Sequence, residues 1–599
     1  MPTSNGMSSW FQNVFSRTSL KRLPDGPELV RIVRSLSIKE RLFLYGMSLL
    51  ALVSFIVFFH LLGTRFFVQV PARGGTLFEG IVGVPHFINP LLANSDADKD
   101  LVTLVYSGLL RPGPNGTYLP DLAESYTISE DGQTYHFTLR KGITFHDGSP
   151  ITSDDVAFTI RLAQDKNIKS PRLPNWEGVT VETPDAQTVD FILKKAYAPF
   201  LENTTLGILP KTIWQQVSSE EFGYSIHNTM PIGSGPYMME SIDNDKGGVP
   251  TAYNLRAFKK FALGKPYIER LRLVFYPTEE KLTRAYLEGV ITSAAGLSPE
   301  TLIAITGRGM RIEETPLPRV FGLFFNQNEA TVLVDRAVRE ALASVIDQRE
   351  IVQNVLAGYG VALTGPLPPH TVDSSSDATT ATHEVVPLEA RIAKARGILT
   401  SAGWKYNEET KLLEKTVKKQ TSTINLSIAT INAPELKQVA ELVASAWRAV
   451  GITIEVHYYE YGDLTQNIIR PRKFNVLLFG EIVGRFPDLY AFWHSSQRLD
   501  PGLNIAEYTN LTVDKNLNDV RKNTSREGRA PLHASIEAQI AKDIPAIFLY
   551  APSLTYILPK NLGGLDLSGV STPSERFLSI YQWYLETDGV WKIFAPQTK

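Results

Sequence analysis

The sequence predicts an α/β protein preceded by one transmembrane helix. Three observations predict it. Leu42–Gly63 is a continuous apolar run with no Asp, Glu, Lys or Arg. Thr423 to Val456 reads as a strand, a helix and a second strand in succession. Tyr126 to Arg140 alternates apolar and polar residues on both sides of an Asp-Gly pair.

The apolar run comes first. At about 1.5 Å rise per residue it spans roughly 30 Å, the thickness of the hydrocarbon layer. A buried helix of that length in a soluble protein would carry a polar stripe, and here the most polar member is His60, near one end. Arg17, Lys21, Arg22, Arg31, Arg34, Lys39 and Arg41 precede the run, opposed only by Asp25, Glu28 and Glu40. The positive-inside rule then keeps residues 1–41 in the cytoplasm and places everything after about residue 64 outside. The protein is therefore expected in the cell membrane as a single-pass protein with an extracytoplasmic main domain. A cleaved signal peptide is the alternative, since Val70-Pro71-Ala72 has small residues at suitable positions. The long polar lead and the length of the apolar run favour a retained anchor. Residues 64–75 read as a tether.

In the exported part, Tyr126–Glu130 and Tyr135–Arg140 flank Asp131-Gly132 and predict a β-hairpin. Thr152-Ser153-Asp154-Asp155 then opens a helix, with Thr152 as cap and Asp155 answering it, and Val156, Ile160 and Ala163 on one face. Further on, Thr423–Thr430 alternates as a strand and Pro434 suits a first helical turn. Leu436, Val439, Val443, Ala446, Trp447 and Val450 repeat at helical spacing, Gly451 ends the helix, and Ile452–Val456 is the next strand. This is a β-α-β unit. Val372–Val386 reads as a surface insertion.

Bulk properties narrow the function. The chain has 599 residues, 43% hydrophobic and 20% charged, with net charge −2. That composition is globular. Length implies more than one folded unit, because single cores stop growing at roughly 250–300 residues. A charge so near balance argues against a nucleic-acid surface. With no cysteine, disulfides, thiolate zinc sites, cysteine nucleophiles and a lipid-modified cysteine are excluded. Phosphate-loop, dinucleotide, nucleophile-elbow and HExxH motifs are missing from the sequence. Gly233-Ser234-Gly235-Pro236 lacks the lysine of a phosphate loop and reads as a tight turn. His383-Glu384 has no second histidine at helical spacing, and the ten histidines are scattered. Asp154-Asp155 sits in a first helical turn, where acids suit the dipole; Glu279-Glu280 likewise carries no catalytic pattern. No enzyme, metal or cofactor is expected.

Several ordered blocks carry a resemblance. Pro120–Tyr126, Asp131–Arg140 and Phe145–Phe158 (FHDGSPITSDDVAF) together look like the signature block of the family 5 solute-binding proteins of ABC transporters, the oligopeptide- and dipeptide-binding group. Gly233-Ser234-Gly235-Pro236-Tyr237, Asp335–Leu342 with Ile346-Asp347-Gln348, Leu399 with Ala402-Gly403-Trp404, Trp493–Gln497 and Pro545–Tyr550 are also similar to that family. The resemblance covers roughly residues 76 to 595. It implies a two-lobed, periplasmic-binding-protein-like (class II) fold with an extra inserted domain. Domain I would comprise 76–115, 230–317 and 555–599, domain II 116–229, and domain III 318–554. Crossover strands near Leu317–Phe325 and Ile547–Leu554 would form the hinge. Such proteins close two lobes on a solute and, in the peptide binders, pair with extended peptide through the backbone. The implied partners are a peptide or other small solute, and ABC permease subunits with cytoplasmic ATPases. A monomer is expected.

The site departs from the family pattern. Many peptide-binding relatives carry an Asp for the peptide amine where this chain has Arg485, within Gly480–Asp488. An arginine repels an ammonium and attracts a carboxylate or phosphate. Glu481, followed by Ile482 and Val483, is the nearest acid that could substitute. Three readings stand: Glu481 takes the amine, Arg485 binds an anionic solute, or both are structural. From the first lobe, Asn94, Ser95 and Asp96 are candidate contacts, and Arg319 in the first crossover is a ligand or hinge contact. Trp493 reads as core. Two other functions stay open: a binder of an oligosaccharide, metal chelate or anionic molecule, and a membrane-tethered receptor. The receptor reading is motivated by Trp10, Phe11, Val14 and Phe15 in the basic N-terminal segment.

Overall fold

The computed structural model describes residues 26–305, 310–368, 371 and 386–594. The insertion at 372–385 and the aromatic residues at 10–15 lie outside them. The described residues form two compact units, one running to Val70 and resuming at Thr587, the other Pro71–Glu586.

In the first unit a short helix, Gly26–Ser35, precedes a long one, Ile38–Phe66. Ser37 starts the long helix: its N–H and hydroxyl both donate to Glu40 Oε2, at 2.9 and 2.8 Å. Glu40 thereby satisfies a donor that the first turn leaves open. The window Ile38–Phe59 buries none of its residues in the protein. The helix extends beyond the apolar run at both ends, through Thr64-Arg65-Phe66. The tether expected over 64–75 is therefore corrected. Phe67–Ala72 is a strand, and it pairs with Glu586–Trp591. Alternating residues of Phe67–Ala72 suit that pairing, which a single-segment reading cannot supply. The expected extent of domain I changes with it, since residues from Thr587 group with the first unit.

The second unit is built on a twelve-stranded sheet. One half holds Tyr237–Asn244, Pro250–Ala257, Arg270–Tyr276, Thr76–Val82 and Ser293–Ala295; the other holds Arg319–Phe325, Val476–Ile482, Asn425–Ile431 and Thr453–Tyr459. The long strand Ala546–Leu558 joins the halves. Its first residues pair with Arg319–Phe325 and its last with Arg311–Pro316. A separate antiparallel sheet is ordered Ala123–Ile128, Thr134–Leu139, Thr188–Ile192, Thr180–Asp185. This gives two lobes crossed by the chain at Pro316–Arg319 and Ala551–Ser553.

Local expectations correspond to elements. Ile128 faces Tyr135 across the Asp131-Gly132 turn, and Gly132 has φ +68°. Thr152 N–H donates to Asp155 Oδ2 at 2.9 Å at the head of helix Ser153–Gln164. Helix Pro434–Val450 buries Leu436, Val439, Val443, Ala446, Trp447 and Val450, and stops at Gly451 with φ 110°. It connects the parallel strands Asn425–Ile431 and Thr453–Tyr459. The first of these begins later than expected, because Gln420–Thr423 belongs to a different hairpin with Leu413–Val417.

Candidate ligand site

Helix Asp96–Val105 packs in the core of the first lobe, and its cap organises the first-lobe candidates. Ser95 is the N-cap, and its hydroxyl accepts from Asp98 N–H. The Asp98 carboxylate in turn accepts from the N–H groups of His86, Phe87, Asn94 and Ser95. Ser95 thus has a structural task, while Asn94 and Asp96 are exposed.

The helix ends against a second turn. Gly235 N–H donates to Val105 O at 2.7 Å. A Cβ at Gly233 would lie 2.1 Å from Val105 O, and one at Gly235 2.6 Å from Val105 C. Only glycine fits so close an approach. His146 braces the same turn. Its N–H donates to Gly233 O at 2.8 Å, Gly233 N–H points to its Nδ1 at 3.3 Å, and its Nε2 bonds Gly235 O at 3.0 Å. Burial lowers the imidazole to about 4, so Nδ1 accepts and Nε2–H donates.

The second lobe contributes Val476–Ile482. This strand pairs with Arg319–Phe325 along its whole length, but with Asn425–Ile431 only at Val476 and Leu477. Among the described residues, the edge of Phe479–Ile482 facing that neighbour has no strand partner. Beyond it, the N–H groups of Val483 and Gly484 donate to Pro318 O. Ile482 is exposed and Val483 buried. Arg319 lies opposite Ile482 in the ladder; burial lowers its pKa and the charge of Asp96 opposes that.

Glu481 is buried, and its Oε1 has no hydrogen-bond partner among the described residues. Burial holds its carboxyl well above the usual range. Arg485 is buried too, and its charge is already answered. Its Nη2 donates to Glu575 Oε2 at 2.6 Å and to Gly569 O at 2.7 Å. Glu575 also accepts from Ser571 and Thr572 N–H at the start of the turn Pro573–Gln582. Arg485 thus links the second lobe to the first.

Beside Glu575 lies a cavity of about 470 Å³. Sequence reasoning missed most of its lining: Lys99, Arg111, Asp121, Arg172, Glu202, Trp176 and Tyr197 among others. Tyr106 Oη, Arg111 Nε, Asp121 Oδ1 and Arg172 Nε have no hydrogen-bond partner among the described residues. Burial pushes the Asp121 carboxyl up to about 7, with Arg111 opposing. Burial also raises Glu202, opposed by Arg485. Unpaired polar atoms of both signs in one hollow are what a polar solute needs. A motif search could not find them, because Tyr106, Arg111, Asp121 and Arg172 stand apart in the sequence and meet only in the fold.

Of the remaining candidates, Leu317 and Leu554 pack together with Val570 at the crossing. Phe325 and Ile547 lie in the core of the second lobe. Trp493 is fully buried, as expected.

Two lobes on a shared long strand, with a polar cavity in the first lobe beside Glu575, the partner of Arg485 from the second, are the fold of a solute-binding protein. The chain belongs to the bacterial extracellular solute-binding proteins, family 5, whose model matches residues 117–500. It is 28% identical over 522 residues to the oligopeptide-binding protein AppA of Bacillus subtilis (strain 168), covering 86% of this chain and 92% of that protein. A solved structure of AppA from Bacillus subtilis, in complex with a nonapeptide, aligns with TM-score 0.64 and 27% identity over 86% of this chain and 100% of that one. NikZ from Campylobacter jejuni, solved in complex with Ni(L-His), aligns with TM-score 0.64 and 26% identity over 85% and 99%. The substrate-binding protein CtaP of Listeria monocytogenes shares the fold, with TM-score 0.71 and 24% identity over 86% and 100%. These relatives are binding proteins.

Proposed function

We propose that this protein is the membrane-anchored, extracytoplasmic receptor of an ABC importer, and that it captures peptides by closing its two lobes. The observation that carries the peptide reading is the open edge of Phe479–Ile482, followed in the chain by Val483 and by Arg485, which bonds Glu575 at the cavity. An extended peptide can add to such an edge by backbone hydrogen bonds, leaving its side chains to a roomy, wet pocket. The nonapeptide bound to AppA supports the same class of ligand.

In this reading Glu481 receives the peptide amine, because an ammonium would supply the partner that its buried carboxyl lacks. Arg485 serves as a latch to Glu575. Asn94, Asp96 and Arg319 serve as further ligand contacts, and Ile482 and Val483 flank the bound chain. Bending is concentrated at Leu317 and Leu554, with Phe325 and Ile547 anchoring the hinge strands in the second lobe. Domains I and II, with the divisions given above, move as one body and domain III as the other. The loaded protein then docks on a permease served by cytoplasmic ATPases.

A second reading is favoured by two arginines, Arg111 and Arg172, among the residues lining the cavity: a small anionic solute or chelate. Mass spectrometry of small molecules released from natively purified protein separates the two. A set of short peptides supports the first reading. A single anionic compound or metal chelate sinks it and promotes the second.

A further inference from the structure

The end of the first unit carries an apolar cluster that solute capture does not use. Strand Glu586–Trp591 pairs with Phe67–Ala72, and Phe67 follows directly on Phe66, the last residue of the long helix. Gly74 lies beside Glu586, and Phe67 beside Trp591, so the strands run in opposite directions. The second strand therefore returns to the helix end. There Trp591 meets Phe67 at 4.7 Å and Phe66 at 6.3 Å between ring centroids. The turn Lys592–Phe594 follows, with Ile593 81% and Phe594 73% exposed. Phe66, Phe67 and Trp591 are also exposed, at 45%, 37% and 44%.

Three rings in contact at one end of a two-stranded ribbon, with two exposed apolar residues within three positions after it, need a cover, and such a ribbon alone is marginal in water. The helix says what the cover is. Only Thr64 and Arg65 separate the apolar run from Phe66, roughly 5 Å along a helix axis. This is the depth of the interfacial layer, where aromatic rings concentrate. We propose that Trp591, Ile593 and Phe594 form a second membrane contact, seated with Phe66 and Phe67 in the headgroup layer of the outer leaflet. The inference rests on the anchor reading. The solute-binding unit is then continuous with membrane-held chain at both of its ends, through Val70–Pro71 and through Glu586–Thr587.

The chain has no cysteine, so single reporter sites can be introduced. Ile593→Cys, Phe58→Cys and Val417→Cys in the full-length protein would each be labelled with a fluorophore and reconstituted into phosphatidylcholine vesicles containing doxyl-labelled lipid. Val417 is an exposed hairpin residue of the other unit. The proposal expects quenching at 593 severalfold above that at 417, alongside strong quenching at 58. Quenching at 58 with 593 no more quenched than 417 overturns the second contact and leaves the anchor standing. No quenching at 58 overturns the anchor and the inference with it. Matching thermal unfolding of the three labelled proteins shows that the fold is kept.

Discussion

Asp121 holds its carboxyl in a place where ionisation is costly. Its unfolded value is near 3.8, and burial raises it to about 7 in the fold. Between those values the folded protein keeps a proton that the unfolded chain has lost. Stability therefore falls as pH rises from about 4 to about 7, and is level above that. The difference corresponds to about 4 kcal/mol at most. Asp121→Asn should remove this slope, so that its melting temperature gains on the wild type through that pH window and holds a constant lead above it. Parallel melting curves across the window would refute the assignment. Glu481 is tested by affinity. A charged hydrogen bond is worth about 1.5–3 kcal/mol, so Glu481→Gln should weaken peptide binding by about tenfold to a hundredfold in calorimetry, while leaving an amine-blocked peptide unaffected. Equal losses for both peptides would show that the carboxyl does not meet the amine. Glu481 was visible in the sequence as the acid four positions before the altered one. Asp121 lies in the family-like block Pro120–Tyr126, yet nothing local said that its carboxyl would be sealed, because burial depends on residues distant in sequence.

Among the elements, two sequence blocks acquire a common purpose. The segment Phe145-His146-Asp147-Gly148 and the turn Gly233–Tyr237 were each recognisable alone. What sequence could not reveal is that His146 holds the turn and that the turn seals the end of helix Asp96–Val105. Gly233→Ala would drive a methyl into the Val105 carbonyl. It should destabilise the protein by about 1–3 kcal/mol, measured by denaturant unfolding, and an unchanged midpoint would dismiss the brace. The imidazole is neutral in the fold down to about 4 but protonates near 6.5 when unfolded. It therefore costs stability as pH falls through that interval, the opposite sense to Asp121. The hairpin and the β-α-β unit were legible because period and turn chemistry lie within one segment. The strand Phe67–Ala72 was not, since its partner is over 500 residues away. A buried cluster was missed for the same reason. Arg576 bonds Glu79 at 3.0 Å and Asp100 at 2.7 Å, and Tyr556 donates to Glu79 at 2.9 Å. Arg576→Ala would leave two carboxylates buried without their cation and should cost about 3–5 kcal/mol.

For the whole molecule, the proposed closing of the lobes would rest on few connections. The chain crosses between lobes at Pro316–Arg319 and Ala551–Ser553, and the two largest apolar clusters lie one in each lobe, while Ala198 of the first lobe packs into a third cluster of the second and its N–H donates to Arg521 O at 2.9 Å. Arg485 is different: it reaches from the second lobe to Glu575 and Gly569 of the first, and must let go when the lobes part. The two-lobed plan could be anticipated from family resemblance, whereas this latch could not, because Glu575 lies far along the chain. Removing the guanidinium should favour the open form. Glu575 would keep its bonds from Ser571 and Thr572 N–H, so the helical turn that it caps survives, and on opening its carboxylate regains water. With charge-assisted hydrogen bonds worth about 1.5–3 kcal/mol, Arg485→Gln should shift the solute-free equilibrium toward open by about tenfold to a hundredfold. Small-angle scattering would register this as a larger radius of gyration than that of the wild type. Saturating solute should return the variant to the wild-type radius, at a weaker apparent affinity, because binding must then drive closure unaided. A variant whose solute-free radius and affinity both match the wild type would show that Arg485 fills space between the lobes without holding them together.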